Sequence, residues 1–319
     1  MITSKEELLR AAKSELYKPE ILEKVHKLLD VLVQISEVPY FKDRLVLKGG
    51  TALNLFFFER IPRLSVDIDL NYIGSLDRES MLEERPFINN AIEEILRKNK
   101  FENYRSPGGH AGGKLVWRYA SLMGQKGNLE IDLNYMYRQP LLKPMLMTPV
   151  LPGFSELKFP VLDIHELAAG KFSALFSRTA SRDLFDAHHL LTQAKLDKKT
   201  FRLAFCVYIA MTGLPVSALS IEAIQPNLNE FHDRLLPVLK QSDLIKDRRK
   251  LLSWIETMLE ELKTALTILL PLSENERKFI EQVSQEAEIC PELITDDEDQ
   301  QSIIRQHPAL LWATQRGKK

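Results

Sequence analysis

Two aspartates separated by one residue stand in an otherwise apolar segment, Ser65-Val-Asp67-Ile-Asp69-Leu. Side chains alternate between the two faces of a strand, so Asp67 and Asp69 share one face while the apolar residues pack on the other. Adjacent carboxylates repel each other unless a divalent cation lies between them, and oxygen ligands favour Mg²⁺ or Mn²⁺ over zinc. The alternative is an acidic strand facing solvent, although aspartate is depleted in strands. The pattern predicts a metal site at Asp67 and Asp69.

A pair of glycines precedes this segment by one expected helix. Gly49 and Gly50 follow a short apolar strand, and the helix after them offers backbone N–H groups and the positive end of its dipole to an anion. Glycine also lets a phosphate approach the backbone closely. Thr51 and Ser65 add hydroxyl groups. A lone Gly-Gly turn is usually only a helix entry, but beside the aspartate pair it predicts a site for a triphosphate.

A third carboxylate is expected from Glu130-Ile-Asp132-Leu-Asn-Tyr, another apolar strand. Glu130 and Asp132 share a face opposite Ile131 and Leu133. Asp132 is the better candidate because it lies within the strand, whereas Glu130 follows a turn-like Gly-Asn pair. It could complete a two-metal site. The alternative is an acid on an edge strand in contact with solvent.

The second half of the chain adds a charged cluster in a region of helical periodicity. Lys171 stands in an apolar stretch, where a lysine either holds an anion or extends its ammonium group to solvent. Asp183 and Asp186 share a helical face, because residues three apart are neighbours on a helix. With Arg178 and Arg182 nearby, the cluster either binds nucleotide or forms an internal salt-bridge network.

Other charged groups are interpreted as follows. Adjacent residues diverge by about 100° on a helix, so His188 and His189 cannot chelate one ion together. The basic segments 246–250 and 316–319 could contact the phosphates of a nucleic acid, and solvated helix ends are the alternative. The acidic run 296–299 is expected to be a solvated loop.

The elements that position these residues divide the chain into two parts. Apolar periodicity predicts two helices within 3–37, strands at 45–47, 65–72, 113–121 and 128–137, and helices at 51–58 and 79–99. Prolines punctuate residues 140–160, and from Asp163 the periodicity is helical, in 164–177, 183–195, 200–211, 247–269 and 273–286. We expect an α+β domain over 1–160 and a helical bundle over 161–319.

Composition excludes several classes of protein. The 319 residues include 43 Lys and Arg against 44 Asp and Glu, so no global basic field attracts nucleic acid and any such partner must meet a local patch. Two cysteines cannot form a four-cysteine zinc site, and sparse cysteine is typical of a reducing compartment. No apolar run reaches the roughly 18 residues of a membrane span. We expect a cytoplasmic protein without membrane association.

Together the motifs resemble the AbiEii/AbiGii toxin family of nucleotidyltransferases, within the DNA polymerase β-like superfamily and with MenT-type toxins as relatives. The resemblance covers about residues 40–195 and rests on the segments Leu47-Lys-Gly-Gly-Thr-Ala-Leu, Arg63-Leu-Ser-Val-Asp-Ile-Asp-Leu, Glu130-Ile-Asp-Leu-Asn-Tyr and Lys171-x6-Arg-x3-Arg-Asp-x2-Asp. It implies a polymerase β-like mixed sheet preceded by N-terminal helices, followed by a helical domain that completes the nucleotide site.

The resemblance also implies a role for each matching residue. Asp67 and Asp69 would ligate the metals, Asp186 matches the last acidic position of the family, and Asp132 and Asp186 are alternatives for sharing the second metal or accepting a proton. The implied nucleotide contacts are Gly49, Gly50, Thr51, Ser65, Lys171, Arg182 and Asp183. Wider relatives carry serine where Thr51 stands, and the hydroxyl is retained.

The function implied is transfer of an NMP from an NTP to an acceptor hydroxyl, with Mg²⁺ or Mn²⁺ as cofactor and pyrophosphate as leaving group. The expected acceptor is an RNA 3′ end, with tRNA favoured. The expected role is the toxin of a toxin–antitoxin or phage-defence system with a cognate antitoxin. The alternatives are NMP transfer to a protein or a small molecule such as an aminoglycoside, a metal-dependent glycosyltransferase, and a module that binds without turnover.

Overall fold

Two compact units make up the chain in the computed structural model, which describes residues 2–106, 112–220, 222, 224–245 and 247–316. The first unit comprises Met1–Pro140, Pro144–Leu162 and Pro237–Leu244. The second comprises Leu141–Lys143, Asp163–Leu236 and Ile245–Lys319. Residues 141–143 belong to the second unit although the residues before and after them belong to the first. Residues 237–244 belong to the first unit although the residues before and after them belong to the second.

Two amphipathic helices begin the first unit, as expected. Ser4 caps α1 (Lys5–Glu15) by accepting a hydrogen bond from the backbone N–H of Glu7. Pro19 opens α2 (Pro19–Ser36) at a position where no backbone N–H is required. The apolar residues of α2 that are fully buried recur at helical spacing: Leu22, Val25, Leu28, Leu29, Leu32 and Ile35.

A mixed seven-stranded sheet, in the order β3-β4-β5-β2-β1-β7-β6, forms the centre of the described part of this unit. The strands are β1 (Leu45–Lys48), β2 (Asp67–Tyr72), β3 (Glu102–Arg105), β4 (Gly112–Ala120), β5 (Lys126–Asn134), β6 (Met145–Met147) and β7 (Phe159–Val161). Strand β2 pairs antiparallel with β1 and parallel with β5, and β7 pairs parallel with β1. The expected α+β class with a mixed sheet is confirmed.

One face of the central strands is apolar and buried. Ile68 and Leu70 of β2 and Ile131 of β5 are fully buried, and so is Trp117 of β4. Helix α2 contacts both β5 and α4 (Arg78–Lys98). The polar residues that alternate with this apolar set therefore lie on the opposite face of the sheet.

The second unit is helical in its described residues, as expected for the C-terminal part. Its helices are α5 (Ile164–Arg178), α6 (Ser181–Gln193), α7 (Lys198–Thr212), α8 (Leu228–Glu230), α9 (Arg248–Ala265), α10 (Glu274–Glu281), α11 (Glu298–Gln306) and α12 (Pro308–Arg316). Aromatic pairs join α5 to α7, with the rings of Phe172 and Phe201 5.6 Å apart and those of Phe176 and Phe205 6.1 Å apart.

The acidic run 296–299 is exposed, as expected, but only its first half is a loop: Asp296 and Asp297 precede α11, and Glu298 and Asp299 begin it. Asp297 accepts a hydrogen bond from the backbone N–H of Gln300 and caps α11, and Glu298 and Asp299 lie in the first helical turn. Negative charge is favourable there because the first turn leaves N–H groups unpaired. No helix among the described residues has the length and apolar character needed to cross a bilayer.

Candidate active site

Four carboxylates lie on the polar face of the two central parallel strands. Asp67 of β2 lies opposite Glu130 of β5, and Asp69 lies opposite Asp132. Neighbouring side chains in register share a face, and all four residues are part-exposed, whereas Ile68 and Ile131 between them are buried. The expected shared faces of Asp67 with Asp69, and of Glu130 with Asp132, are confirmed.

The backbone of Gly49 determines where the Asp69 carboxylate can lie. Gly49 has φ +73°, a left-handed conformation that side chains other than glycine rarely adopt. A Cβ at this position would overlap Oδ2 of Asp69 and would lie 3.0 Å from its Cγ. Gly49 begins α3 (Gly49–Ala52), and Gly50 is buried within that helix, which continues as a π-helical turn over Leu53–Phe57. The glycine turn therefore packs directly against one of the two aspartates.

The two hydroxyl residues occupy positions that differ from those expected. Thr51 is fully buried, and its hydroxyl donates to the backbone carbonyl of Asp67 at 2.5 Å. Its side chain joins α3 to the start of β2 and has a positioning role. Ser65 is 6% exposed and precedes the strand, which begins at Asp67 and not at residue 65. The segment before β2 is fixed by a hydrogen bond from the Leu64 N–H to the Val238 carbonyl, at 2.9 Å.

Two lysines that sequence reasoning did not identify approach the carboxylates. Lys114 of β4 lies opposite Asp132, and its Nζ is 2.6 Å from Oε2 of Glu130. Burial opposes its charge, but the Glu130 hydrogen bond and the charge of Asp67 outweigh that effect and raise the pKa of Lys114. The Nζ of Lys24, on α2, is 3.9 Å from Oδ1 of Asp67. Lys114 reaches this face through the antiparallel hairpin of β4 and β5, whose register, and not the strand pattern alone, places it opposite Asp132.

The carboxylate oxygens of this face fit a divalent metal ion that takes its remaining ligands from water and substrate. Among the described residues, no three His, Cys, Asp or Glu side chains are already arranged around one ion position, and the trio of Asp67, Asp69 and Asp132 stays a prediction. Asp132 is in register with Asp69 on the neighbouring strand, about 4.8 Å away, so it stays a candidate for a third ligand. Mg²⁺ commonly takes one or two carboxylates and completes its shell with water and phosphate oxygens. Asp67 and Asp69 match that requirement.

The charged cluster of the second unit is an internal salt-bridge network. Lys171 of α5 places its Nζ 2.8 Å from Oδ2 of Asp186 and 3.1 Å from Oδ1 of Asp183, both on α6. The two aspartate side chains are 3% exposed or less, and that of Lys171 is 13% exposed. Arg178 adds a contact of 2.7 Å to Asp183. The alternative of a lysine whose ammonium group extends to solvent is therefore wrong. Arg182 lies on α6, as do the two aspartates, and is part-exposed.

The adjacent histidines have separate partners, in agreement with the expectation from their spacing. Nε2 of His188 is 2.6 Å from Oε2 of Glu261, whereas Nδ1 of His189 is 3.0 Å from the carbonyl oxygen of Phe185. The two rings therefore do not converge on one ion.

Part of the basic segments lies outside the described residues, namely Lys246 and residues 317–319. Arg248, Arg249 and Lys250 are exposed in the first turn of α9, which Asp247 caps. Arg316 donates a hydrogen bond to the carbonyl of Met211 at 2.7 Å, so its guanidinium group is anchored to the second unit.

Comparison with known proteins shows the family to which the chain belongs. No curated protein sequence matches the chain. A solved structure, MenT4, a nucleotidyltransferase toxin from Mycobacterium tuberculosis H37Rv, matches with a TM-score of 0.66 at 18% identity, over 98% of this chain and 99% of that chain. At this identity the match shows the fold. The family profile described as nucleotidyl transferase AbiEii toxin, type IV toxin–antitoxin system, matches residues 30–268. The chain therefore belongs to the AbiEii family of nucleotidyltransferase toxins of type IV toxin–antitoxin systems.

Proposed function

We propose that this nucleotidyltransferase toxin transfers an NMP from an NTP to the 3′ hydroxyl of an RNA, with tRNA favoured, and that the reaction requires Mg²⁺ or Mn²⁺. The observation that carries the proposal is the Asp67–Asp69 pair on the polar sheet face, with Asp69 packed against Gly49. Family membership excludes the glycosyltransferase and the non-catalytic binding module, and it implies an antitoxin partner. NTPs and tRNA are cytoplasmic, so we place the reaction there.

The first unit supplies a group for each step of transfer. Asp67 and Asp69 would hold the metal, which when bound offsets charge on the triphosphate and activates the acceptor hydroxyl. Asp132, opposite Asp69, would accept the proton of that hydroxyl. The hydroxyl oxygen forms a bond to the α-phosphorus as the bond from that phosphorus to the β-phosphate oxygen breaks, and pyrophosphate leaves. Asp186 is less suited to proton transfer because it is buried and paired with Lys171.

The cations that meet the triphosphate are the second part of the proposal. Lys114 and Lys24 pair with Glu130 and Asp67, and their ammonium groups would also lie near the phosphates of a triphosphate bound at the aspartate pair. Lys171, Arg182 and Asp183 stay candidates for nucleotide contact. The ammonium group of Lys171 already balances Asp183 and Asp186, so less of its charge is available to a phosphate.

A labelling experiment tests the acceptor. The protein is incubated with each of four α-³²P NTPs, Mg²⁺, and either total RNA or total protein, and the products are separated on a denaturing gel. We expect label on RNA, with at least one NTP, that EDTA abolishes. Label on protein, with none on RNA, would replace the RNA acceptor with a protein hydroxyl.

A further inference from the structure

The sheet face that carries the carboxylates continues across β4 towards the β3 edge. Lys114 lies opposite Asp132, Arg118 opposite Asn128, and Ala120 opposite Lys126 in the antiparallel β4–β5 register. Residues opposite each other share a face. Lys114, Arg118 and Lys126 therefore lie on the same face as the aspartate pair.

An exposed aromatic residue stands at the end of this face. All four residues of β3, the outermost strand, are exposed, and Tyr104 is 56% exposed. Cζ of Arg118 lies over the Tyr104 ring, 3.4 Å from its centroid, so the ring is on the same face of the sheet as Arg118. Beside them Nζ of Lys126 is 2.9 Å from Oε2 of Glu102. We call Tyr104, Arg118 and Lys126 the edge platform.

We propose that the edge platform binds the single-stranded 3′ segment of the acceptor RNA, with a base stacked on Tyr104 and phosphates held by Arg118 and Lys126. This inference rests on the proposed function. A planar ring beside a guanidinium is a common way of binding unpaired bases, because every base has a face that stacks. Such a surface does not require a strongly basic protein.

Distance and charge both support this occupant. Three β-strand spacings separate β2 from β3, or roughly 14 Å at 4.8 Å each. A single-stranded RNA that lies across the sheet from Tyr104 can therefore reach the aspartate pair. The outer part of the face carries two cations, Arg118 and Lys126, against one carboxylate, Glu102, whereas carboxylates predominate in the inner part. This gradient suits a polyanion whose end must approach a metal. The chain has a formal net charge of -1, so binding of RNA depends on a local patch of this kind.

Steric protection of an edge strand is the competing explanation of the same residues. Charged pairs such as Lys126 with Glu102 do discourage pairing between edges. They do not require an aromatic side chain that leaves more than half of its surface exposed. The ring and its guanidinium partner therefore favour a stacking function.

The test compares Tyr104→Ala with Tyr104→Phe in the full chain and measures KM for unfractionated tRNA and for the NTP separately. We expect Tyr104→Ala to raise the KM for tRNA about tenfold, or ~1.4 kcal/mol, with the KM for NTP unchanged. Tyr104→Phe keeps the ring and should stay within about twofold of the parent. Trp312→Ala, which removes an aromatic residue 50% exposed in the second unit, is the matched control and should change neither constant.

The outcomes separate this inference from the proposed function. If the parent labels tRNA and Tyr104→Ala keeps the parental KM for tRNA, the edge platform is wrong and the RNA acceptor stands. The edge platform is also wrong if only charge reversal of Arg248, Arg249 and Lys250 raises that KM. If the parent labels no RNA with any NTP, the RNA acceptor itself is wrong, and the platform is overturned with it. A Tm of Tyr104→Ala equal to that of the parent excludes loss of folding as the cause.

Discussion

The Asp69 carboxylate occupies space that any side chain at residue 49 would take. Two independent features favour glycine there, namely the left-handed φ and the contact with Asp69. The sequence predicts a glycine turn close to the aspartate pair, with its glycines in contact with phosphate. It does not predict that Gly49 leaves the space in which the Asp69 carboxylate lies. The difference arises because the close approach depends on how β1 and β2 pair.

A comparison of Gly49→Ala with a control glycine substitution distinguishes the cost of backbone strain from the effect of displacing the Asp69 carboxylate. We expect a loss of transfer of at least about 100-fold, because the new methyl group must push the carboxylate away from its metal-binding position. Gly213→Ala is the matched control, since Gly213 has φ +74° with no atom near its missing Cβ. It should carry a similar backbone cost of ~1–2 kcal/mol with the parental rate. Equal rates for the two variants, measured by labelled transfer, would remove Gly49 from the site.

Lys171 lies between two buried carboxylates, which changes the expected result of its removal. Lys171→Met leaves Asp183 and Asp186 without that cation in a poorly solvated place, so we expect the free energy of unfolding to fall by roughly 3–5 kcal/mol. An exposed lysine would change it by only about 0.5 kcal/mol. Urea unfolding measures the loss. Adding Asp183→Asn to the variant should recover part of it, and no recovery would contradict the proposed pairing.

The same variant tests the nucleotide contact expected of Lys171. At a temperature where Lys171→Met is folded, a raised KM for NTP would support a phosphate contact. A parental KM would leave this residue with a structural role only.

At the scale of elements, local patterns predict well and long-range pairings do not. The helix over 78–98 and the strands β2 and β5 follow from alternation and helical spacing within the segment itself. Strand β7 lies in the proline-rich segment and contains Pro160, so no local signal favours a strand there. It forms because Val161 pairs with Leu47, far away in the chain. Strands β3 and β6 are also short and lie at the sheet edges.

The segment Leu141–Lys143 is attached to α5 by one buried acid. Oε2 of Glu166 accepts a hydrogen bond from the backbone N–H of Leu142 at 2.9 Å, and Oε1 accepts one from the Tyr208 hydroxyl at 3.1 Å. Burial raises the pKa of Glu166 to about 7 from its usual 4.5, although these hydrogen bonds act in the opposite direction. Stability therefore depends on the protonation of this side chain.

The sign of that dependence follows from the raised pKa. Between pH 4.5 and about 7 the folded chain keeps a proton that the unfolded chain loses, so the stabilising contribution is complete below pH 4.5 and is lost as pH rises towards 7. The full span is roughly 3 kcal/mol. Glu166→Gln should flatten the dependence of Tm on pH across this window, whereas the exposed Glu281→Gln should not. An unchanged pH profile in Glu166→Gln would contradict the assignment.

At the scale of the whole molecule, the fold is shared more widely than the sequence. MenT4 matches over almost the full length of both chains at 18% identity. The motifs that carry the family resemblance lie between about residues 40 and 195, while the family profile extends over 30–268. Most of the second unit is predicted only as a series of amphipathic helices, because helical periodicity states which face is buried and not against which partner.

The role of the aspartate pair is tested by the rate of NMP transfer to RNA, measured against Mg²⁺ concentration for the parent, Asp67→Asn and Asp69→Asn. Each variant should lose at least about 100-fold in rate at every Mg²⁺ concentration, because a metal held by two carboxylates loses both charge and a ligand. Each should have a Tm equal to or above that of the parent without metal, since repulsion between the two acids is relieved. A parental rate in either variant at saturating Mg²⁺ would contradict the assignment of these aspartates to the metal site.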